Sequence, residues 1–131
     1  MRYLLDTNIC VYFLKQNAKI VDKITSIPTK DLAISCFNLT ELLYGAYNSE
    51  YMDKNLERVR YLENTIEVMP FDRKAVENYA VIKSALKKQG KLIDDFDILI
   101  AAVALSNSMV LVTNNKKHFE RIPNLIIENW L

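Results

Sequence analysis

Three acidic residues stand directly before the most apolar stretch of this chain. Asp94, Asp95 and Asp97 lie within four positions, and the eight residues 98–105 that follow carry no polar side chain. Ala and Leu favour helix, and a helix that is apolar on every side packs inside a protein. The stretch therefore predicts a buried helix with carboxylates in its first turn. Capping of the helix N-terminus explains one Asp, whereas Asp97 suggests a second role such as binding a cation.

Two further acidic residues, Asp6 and Glu41, stand where a ligand site could form. Asp6 ends the short β-type run 2–5 and precedes a predicted helix. Ligands of open α/β sheets bind at the carboxyl ends of the strands, but Asp is also a common N-cap, so both roles stay open. Glu41 interrupts the leucine stripe of a predicted helix at 38–45. A glutamate beside such a stripe is either a solvated surface residue or part of a site.

The elements that must position these residues alternate between strand and helix patterns. Apolar β-type runs occupy residues 2–5, 32–35, 66–69, 109–113 and 125–127. Helical patterns occupy residues 9–14, 18–27, 38–45, 52–64, 72–89 and a segment that ends near 107. This alternation predicts right-handed crossovers and a parallel sheet covered on both faces. We expect an α/β fold: one domain, residues 1–131, with a central, mostly parallel sheet of four to five strands flanked by helices.

In that fold the carboxyl ends of the first, second and fourth strands share one edge of the sheet. Asp6, Glu41 and Asp97 should approach each other there. Two carboxylates about 4 Å apart repel by about 4 kcal/mol at an effective dielectric of about 20, so such a cluster holds protons or binds a cation. Oxygen ligands alone favour a hard ion such as Mg²⁺, with Mn²⁺ as an alternative. Such an ion would lower the pKa of a bound water, as hydrolysis of a phosphodiester requires.

Composition sets broader limits. The chain has 131 residues, 50% of them hydrophobic, and a net charge of +1, which suits one soluble domain and excludes no partner class. The longest apolar run is eight residues, far below the ~20 of a membrane helix. Met1 and Arg2 lead straight into the first strand, so we expect no signal peptide and a cytoplasmic protein. Cys10 and Cys36 are then expected to be reduced thiols of the core.

Over its whole length the chain resembles a PIN domain, and in particular the VapC toxins of bacterial toxin–antitoxin pairs. The motifs that carry the resemblance are LLDTN at 4–8, TELLYG at 40–45, GKLIDDFDILIAA at 90–102 and LVTNN at 111–115. Each motif is short, but their order and spacing together are specific. Members of that family are metal-dependent ribonucleases with a parallel sheet.

The resemblance implies a role for each matching residue. Asp6 and Asp97 would be the metal-binding carboxylates, and Glu41 would be the third acid of a catalytic set of Asp6, Glu41 and Asp97. Asn8 and Thr113 would orient these groups or a bound water.

The chain departs from the family pattern near Asn114 and Asn115. Many relatives have a fourth acid there, whereas an amide binds water or metal through oxygen without supplying negative charge. The number of metal ions therefore stays open. Asp94 is expected to be a cap and Asp95 a supporting group outside the metal ligands. His118, the only histidine, is expected to be a surface residue of a basic turn rather than a catalyst.

Lysines flank the expected site on both sides in the sequence. They precede the acidic helix and follow the fourth strand: Lys87, Lys88 and Lys91, then Lys116 and Lys117. A solvated surface is the ordinary explanation for such charges, and contact with an RNA backbone is the alternative that their position suggests.

The resemblance leads to a functional hypothesis. We expect a Mg²⁺-dependent endoribonuclease toxin that hydrolyses RNA, with tRNA, including initiator tRNA near the anticodon, as the expected substrate. Its partner would be a cognate VapB-type antitoxin in a toxin–antitoxin hetero-oligomer, and a homodimer is also implied. Two alternatives remain at this stage: a catalytically weak PIN-like module that binds RNA or protein, and a metal phosphoesterase acting on a small substrate.

Overall fold

The centre of the structure, a computed structural model that describes residues 1–131, is a five-stranded sheet. Its strands are β1 (Tyr3–Leu5), β2 (Leu32–Ser35), β3 (Glu67–Met69), β4 (Val110–Val112) and β5 (Ile127–Glu128). They lie in the order β3-β2-β1-β4-β5, and every neighbouring pair is parallel. The prediction of an α/β fold with a parallel sheet of four to five strands is therefore confirmed.

Seven helices connect and cover the strands. They are α1 (Thr7–Leu14), α2 (Ala18–Thr25), α3 (Cys36–Tyr47), α4 (Met52–Thr65), α5 (Arg73–Lys88), α6 (Asp95–Ser106) and α7 (Lys116–Phe119), with a 3₁₀ turn at Thr29–Asp31 before β2. None of them combines the length and the apolar character needed to cross a membrane.

Several predicted boundaries differ from the structure by one or two residues, and two of these differences concern the site edge and the last strand. Helix α1 begins at Thr7 rather than at residue 9, because Asp6 has extended backbone and serves as its N-cap. The last strand was predicted at 125–127, but only Ile127 and Glu128 pair with β4. The predicted start is too early because Leu125 is apolar for packing against the core, and Ile126 joins β4 only through its carbonyl, which accepts from the backbone N–H of Leu111 at 2.9 Å.

The sheet has a hydrophobic layer on each face because successive strand residues point to opposite sides. Leu4 and Leu111 join α5 and α6 on one face, whereas Leu5 and Val112 join α1 to α4 on the other. Cys10 lies in the second layer, fully buried, where burial raises the pKa of its thiol. Cys36 lies half-buried at the start of α3, and both thiols are free. The prediction of a core thiol therefore holds for Cys10 and only in part for Cys36.

Helix α6 is the buried helix that the sequence predicts. Seven of its residues are buried, from Ile98 to Ser106, so its direction is fixed by packing against the sheet and α5. Asp94 caps it, accepting a hydrogen bond from the backbone N–H of Phe96 at 2.9 Å. Its first turn, with Asp97, therefore lies at a fixed place beside the carboxyl ends of the strands.

The sheet has a topological switch point between β1 and β4. From β1 the chain crosses to β2 on one side, and β4 pairs with β1 on the other. The backbone N–H of Asp6 donates to the carbonyl of Val112 at 2.8 Å, so the residue after β1 lies beside the end of β4. Crevices of α/β sheets form at such points.

Candidate active site

Asp6 lies at the switch point and is only 6% exposed. Its Oδ1 accepts from the backbone N–H of Thr7 at 2.9 Å, and its Oδ2 accepts from the hydroxyl of Thr113 at 2.7 Å. Burial raises the pKa of Asp6, and these two hydrogen bonds oppose the shift. The side chain is thus both the cap of α1 and a buried carboxylate.

Thr113 holds Asp6 in a defined direction. The backbone N–H of Asn115 donates to Thr113 Oγ1 at 2.9 Å, and Oγ1 is 2.7 Å from Asp6. Because the hydroxyl accepts from Asn115, its single hydrogen is available for the carboxylate. The structure therefore places Thr113, buried at the end of β4, where it orients Asp6.

Glu41 lies half-buried on α3, with Thr7 as its partner. The Thr7 hydroxyl donates to Glu41 Oε1 at 2.6 Å. Burial is the main cause that raises the pKa of Glu41. The bond from Thr7 lowers it, and the negative charges of Asp6 and Asp97 raise it further. Glu41 is therefore not a solvated surface glutamate but a member of the acidic cluster.

Thr7 is itself held by a buried amide that sequence reasoning missed. Asn38 Nδ2 donates to Thr7 Oγ1 at 3.0 Å. Asn38 Oδ1 accepts from the backbone N–H of Ser35 at 2.8 Å and from its hydroxyl at 2.7 Å. The signal available in the sequence was the spacing Ser-x-x-Asn after a strand, which is typical of a capping box at a helix start.

Asp97 lies in the first turn of α6 with 21% of its side chain exposed. Burial raises its pKa, the hydrogen bond from His118 lowers it, and the charge of Asp94 raises it. His118 Nδ1 is 3.3 Å from Asp97 Oδ2 and 2.9 Å from Asn115 Nδ2. The His118 side chain is 43% exposed, so the surface prediction is half right, but the ring contacts a site carboxylate. The fully buried Phe119 that follows anchors α7.

Asp95, one residue of the predicted supporting set, makes its contacts with α5 rather than with the other acids of the site. Asp95 was expected near the site but accepts from Lys83 Nζ at 2.8 Å and from Tyr79 at 3.0 Å, and the bond from Lys83 lowers its pKa. Residues two apart on a helix point in different directions, which is why Asp95 and Asp97 have different partners. Asn8 and Asn114 are exposed.

The three clustered carboxylates form an open site rather than a closed cage. No three His, Cys, Asp or Glu side chains are arranged to hold a metal ion by themselves. Mg²⁺ usually binds one or two carboxylates and keeps several waters, so Asp6 and Asp97 suit it as ligands. The donors are carboxylate and hydroxyl oxygens, and the pKa of each carboxyl in the cluster is raised. A divalent cation would relieve the repulsion among these groups.

The fold brings two of the separated lysine groups together. Lys91, Lys117 and Arg121 line one surface groove. Arg121 Nη1 donates to the carbonyl of Lys91 at 3.3 Å, which ties the segment before α6 to the segment after α7. We call this the basic groove. Lys116 is exposed on α7, and Lys87 and Lys88 are exposed at the end of α5.

A second groove has Thr7 and Glu41 in its lining. It has a volume of about 330 Å³ and lies between α1, α3 and α4. Its lining mixes apolar side chains with charged ones, including Val11, Leu42, Lys15 and Arg58. We call it the α1–α3–α4 groove.

The fold and the acidic site together define a PIN domain, and the match to that family covers residues 3–125. Ribonuclease VapC2 of Rickettsia felis is 37% identical over 132 residues, covering 99% of this chain and 98% of the relative. The tRNA(fMet)-specific endonuclease VapC of Shigella flexneri is 33% identical, with coverage of 99% and 98%. The DNA-bound VapBC structure of Salmonella typhimurium superposes with a TM-score of 0.94 at 34% identity, covering 100% and 99%. The chain therefore belongs to the PIN-domain family, among the VapC ribonucleases.

The raised pKa of Asp97 predicts an effect on stability. A carboxyl whose folded-state pKa is raised contributes stability below its ordinary pKa of 3.8 and loses it as the pH rises through the raised value. Asp97→Asn should therefore raise the melting temperature of the metal-free protein at pH 7 by about 3 °C, and the difference should shrink near pH 4. Thermal unfolding in EDTA at both pH values measures this.

The exposed residue Asp22 provides the matched control. Asp22→Asn should leave the melting temperature nearly unchanged at both pH values, because surface substitutions have small effects. A metal-free Asp97→Asn protein that melts at or below the wild-type temperature at pH 7 would contradict the electrostatic description of the site.

Proposed function

We propose that the chain is a Mg²⁺-dependent endoribonuclease toxin of the VapBC type. The observation that carries the proposal is the convergence of Asp6, Glu41 and Asp97, each with a raised pKa, at the carboxyl edge of a parallel sheet. Membership of the VapC ribonucleases supplies the reaction class. Asp6 and Asp97 are the proposed metal ligands, with Mn²⁺ as an alternative ion.

The residues of this site have different proposed roles. Thr113 orients Asp6, and Thr7 occupies one oxygen of Glu41, which leaves Oε2 of Glu41 for a water molecule. Asn115 contacts both Thr113 and His118 and so links the two sides of the site. A bound Mg²⁺ would offset charge on the scissile phosphate and make a water more acidic.

RNA is the proposed substrate, and tRNA is the proposed class. The relatives from Shigella flexneri and Salmonella typhimurium carry the name tRNA(fMet)-specific endonuclease, which supports initiator tRNA as the first substrate to try. The anticodon loop is unpaired, so its bases can leave the stack and its backbone can enter an open acidic cleft. The basic groove beside the start of α6 would contact the phosphates that flank the cut.

A VapB-type antitoxin is the proposed partner, in a hetero-oligomer that also contains a toxin homodimer. Solved structures similar to this chain are VapBC complexes, some of them bound to DNA. The α1–α3–α4 groove adjoins Glu41 and offers apolar contacts for a peptide segment. An Arg of such a segment could pair with the site carboxylates, because its forked donors match two oxygens.

The first prediction of this proposal concerns the proposed metal ligands. Asp6→Asn and Asp97→Asn should each reduce the single-turnover rate of tRNA cleavage by more than about tenfold, or ~1.4 kcal/mol of transition-state stabilisation. Each change keeps the shape of the side chain and removes the charge that a dication needs. Glu41→Gln should also lower the rate. Asp22→Asn is the matched control and should cleave at the wild-type rate.

Circular dichroism must show that each variant is folded before its rate is compared. A folded Asp6→Asn or Asp97→Asn protein that keeps more than about a tenth of the wild-type rate would refute the assignment of ligands. A wild-type protein that binds tRNA but never cleaves it would instead favour a catalytically weak binding module, which the amides at Asn114 and Asn115 in place of an acid suggest.

The second prediction concerns the ends of the products. The site has one histidine and no acid–base pair suited to attack by the 2′-hydroxyl. Hydrolysis by water should break the P–O3′ bond and leave a 5′-phosphate on one fragment and a 3′-hydroxyl on the other. End-group analysis of a cleaved tRNA measures this, with an EDTA-treated sample as control. A 2′,3′-cyclic phosphate, or equal cleavage in EDTA, would mean that the mechanism is wrong.

The third prediction concerns the contribution of the lysines in the basic groove to tRNA binding. Lys91→Ala/Lys117→Ala should weaken tRNA binding and reduce the slope of log K against log salt by about 1 to 2, because each phosphate contact releases counterions. Lys54→Ala/Lys74→Ala removes the same charge from exposed positions outside the expected RNA contacts and is the matched control. Phosphate contacts position without specifying sequence, so the cut site should not move. Equal salt slopes in the two double variants would remove the basic groove from the proposal.

A further inference from the structure

We propose that Thr7 and Asn38 are positioning residues that hold the carboxylate of Glu41 in a single orientation at the active site. The inference rests on the proposed function and goes beyond it by assigning roles to two residues outside the acidic set. It is carried by a continuous chain of hydrogen bonds from Ser35 through Asn38 and Thr7 to Glu41.

The direction of this chain is fixed by a backbone group. The N–H of Ser35 can only donate, so the Asn38 atom 2.8 Å away from it is the amide oxygen. The Ser35 hydroxyl, 2.7 Å from the same oxygen, is consistent with that choice because it also accepts from the N–H of Asn38 at 3.1 Å. The other end of the amide, Nδ2, must then be the atom that faces Thr7.

The hydroxyl of Thr7 transmits this direction to Glu41. It accepts from Asn38 Nδ2 at 3.0 Å and has one hydrogen, which lies toward Glu41 Oε1 at 2.6 Å. Hydrogen bonds to a carboxylate are shorter and stronger than those between neutral groups. Glu41 is therefore bound through one named oxygen, and a half-exposed side chain with three rotatable bonds loses the freedom to turn into solvent.

Burial explains why the chain of bonds is rigid. Ser35 and Asn38 are completely buried, and no buried side-chain nitrogen or oxygen in the structure lacks a partner. Ser35 ends β2, Asn38 lies one turn before Glu41 on α3, and Thr7 begins α1 two residues after the end of β1. The chain of bonds therefore ties Glu41 to the ends of two neighbouring strands. A fully satisfied network of this kind specifies one arrangement.

Capping of α3 does not by itself explain why residue 38 is Asn rather than Asp. The capping box uses the Ser35 hydroxyl and one oxygen of residue 38, which Asp would supply equally well. Only the Nδ2 group of Asn38 donates to Thr7. The choice of an amide at position 38 thus follows from the need to orient the Thr7 hydroxyl.

The experiment compares Thr7→Val, Thr7→Ser and Asn38→Asp in tRNA cleavage under steady-state conditions. Thr7→Val should lower kcat by about tenfold, or ~1.4 kcal/mol, with KM changed less than about twofold. Thr7→Ser restores the hydroxyl and should stay within about threefold of wild type. Asn38→Asp keeps the cap, removes the donor to Thr7 and should resemble Thr7→Val. Thr25→Val, which removes an exposed hydroxyl bonded to a backbone carbonyl, is the matched control.

A double-mutant cycle tests whether Thr7 acts through Glu41. Glu41→Asp shortens the side chain so that it no longer reaches Thr7. In that background Thr7→Val should lower kcat by less than about twofold, since the interaction is already lost. A tenfold fall in both backgrounds would overturn the inference, because Thr7 would then act by another route. So would a Thr7→Val enzyme with wild-type kcat.

A second measurement does not depend on catalysis. In crystals of the metal-free protein, Glu41 should adopt one conformer in the wild type and several in Thr7→Val, while the backbone of α3 stays in place. An unchanged single conformer in Thr7→Val would overturn the inference even if the wild type proved inactive on RNA. If the wild-type protein does not cleave RNA, the proposed function is refuted. The conformers of Glu41 in the crystals then decide the roles of Thr7 and Asn38.

Discussion

The buried carboxylate of Asp6 is the constraint on which the site depends. A carboxylate that is 6% exposed needs compensation, and the bonds from Thr7 and Thr113 provide it. Those two donors come from the segments after β1 and β4, the strands on either side of the switch point. The same bonds therefore stabilise Asp6 and bring the ends of the two strands together. The two hydrogen bonds to Asp6 therefore determine both the fold at this edge and the position of the carboxylate.

The other two acids are placed by hydrophobic packing rather than by polar bonds alone. Ile98 to Ala104 fix α6 in the core, so Asp97 cannot move away from Asp6 when both are charged. Leu42 and Ala46 do the same for α3 and Glu41. Core packing thus holds these carboxylates in place: burial is the main cause that raises the pKa of both Asp97 and Glu41, and the charges of Asp6 and Asp97 raise that of Glu41 further. A site strained in this way gains stability when a cation binds.

The sequence was sufficient for the architecture and for the expectation that Asp6, Glu41 and Asp97 approach one another. Alternating strand and helix patterns gave the parallel sheet, and the apolar run after Asp97 gave the buried helix. The sequence was insufficient for Asn38 and His118, because their roles depend on contacts 31 and 21 positions along the chain, with Thr7 and Asp97 respectively. The prediction that Asp95 supports the site rested on its position in the sequence. It is adjacent to the site in sequence, but the helix turns it toward Lys83. The assignments at Asp6, Glu41 and Asp97 remain predictions.

The acidic cluster and the basic residues occupy separate parts of this surface. The acidic cluster by itself would repel a phosphate backbone, whereas Lys91, Lys117 and Arg121 line a groove beside the start of α6. With a net charge of only +1, the chain has no general attraction for nucleic acid, so the proposed contact with RNA depends on that groove rather than on the whole surface. Lys117 precedes His118, whose ring contacts Asp97, so a strand bound to this groove by its phosphates would lie near Asp97. In the proposed function the basic groove would set where RNA lies, and a cation between the carboxylates would allow a phosphate to approach them.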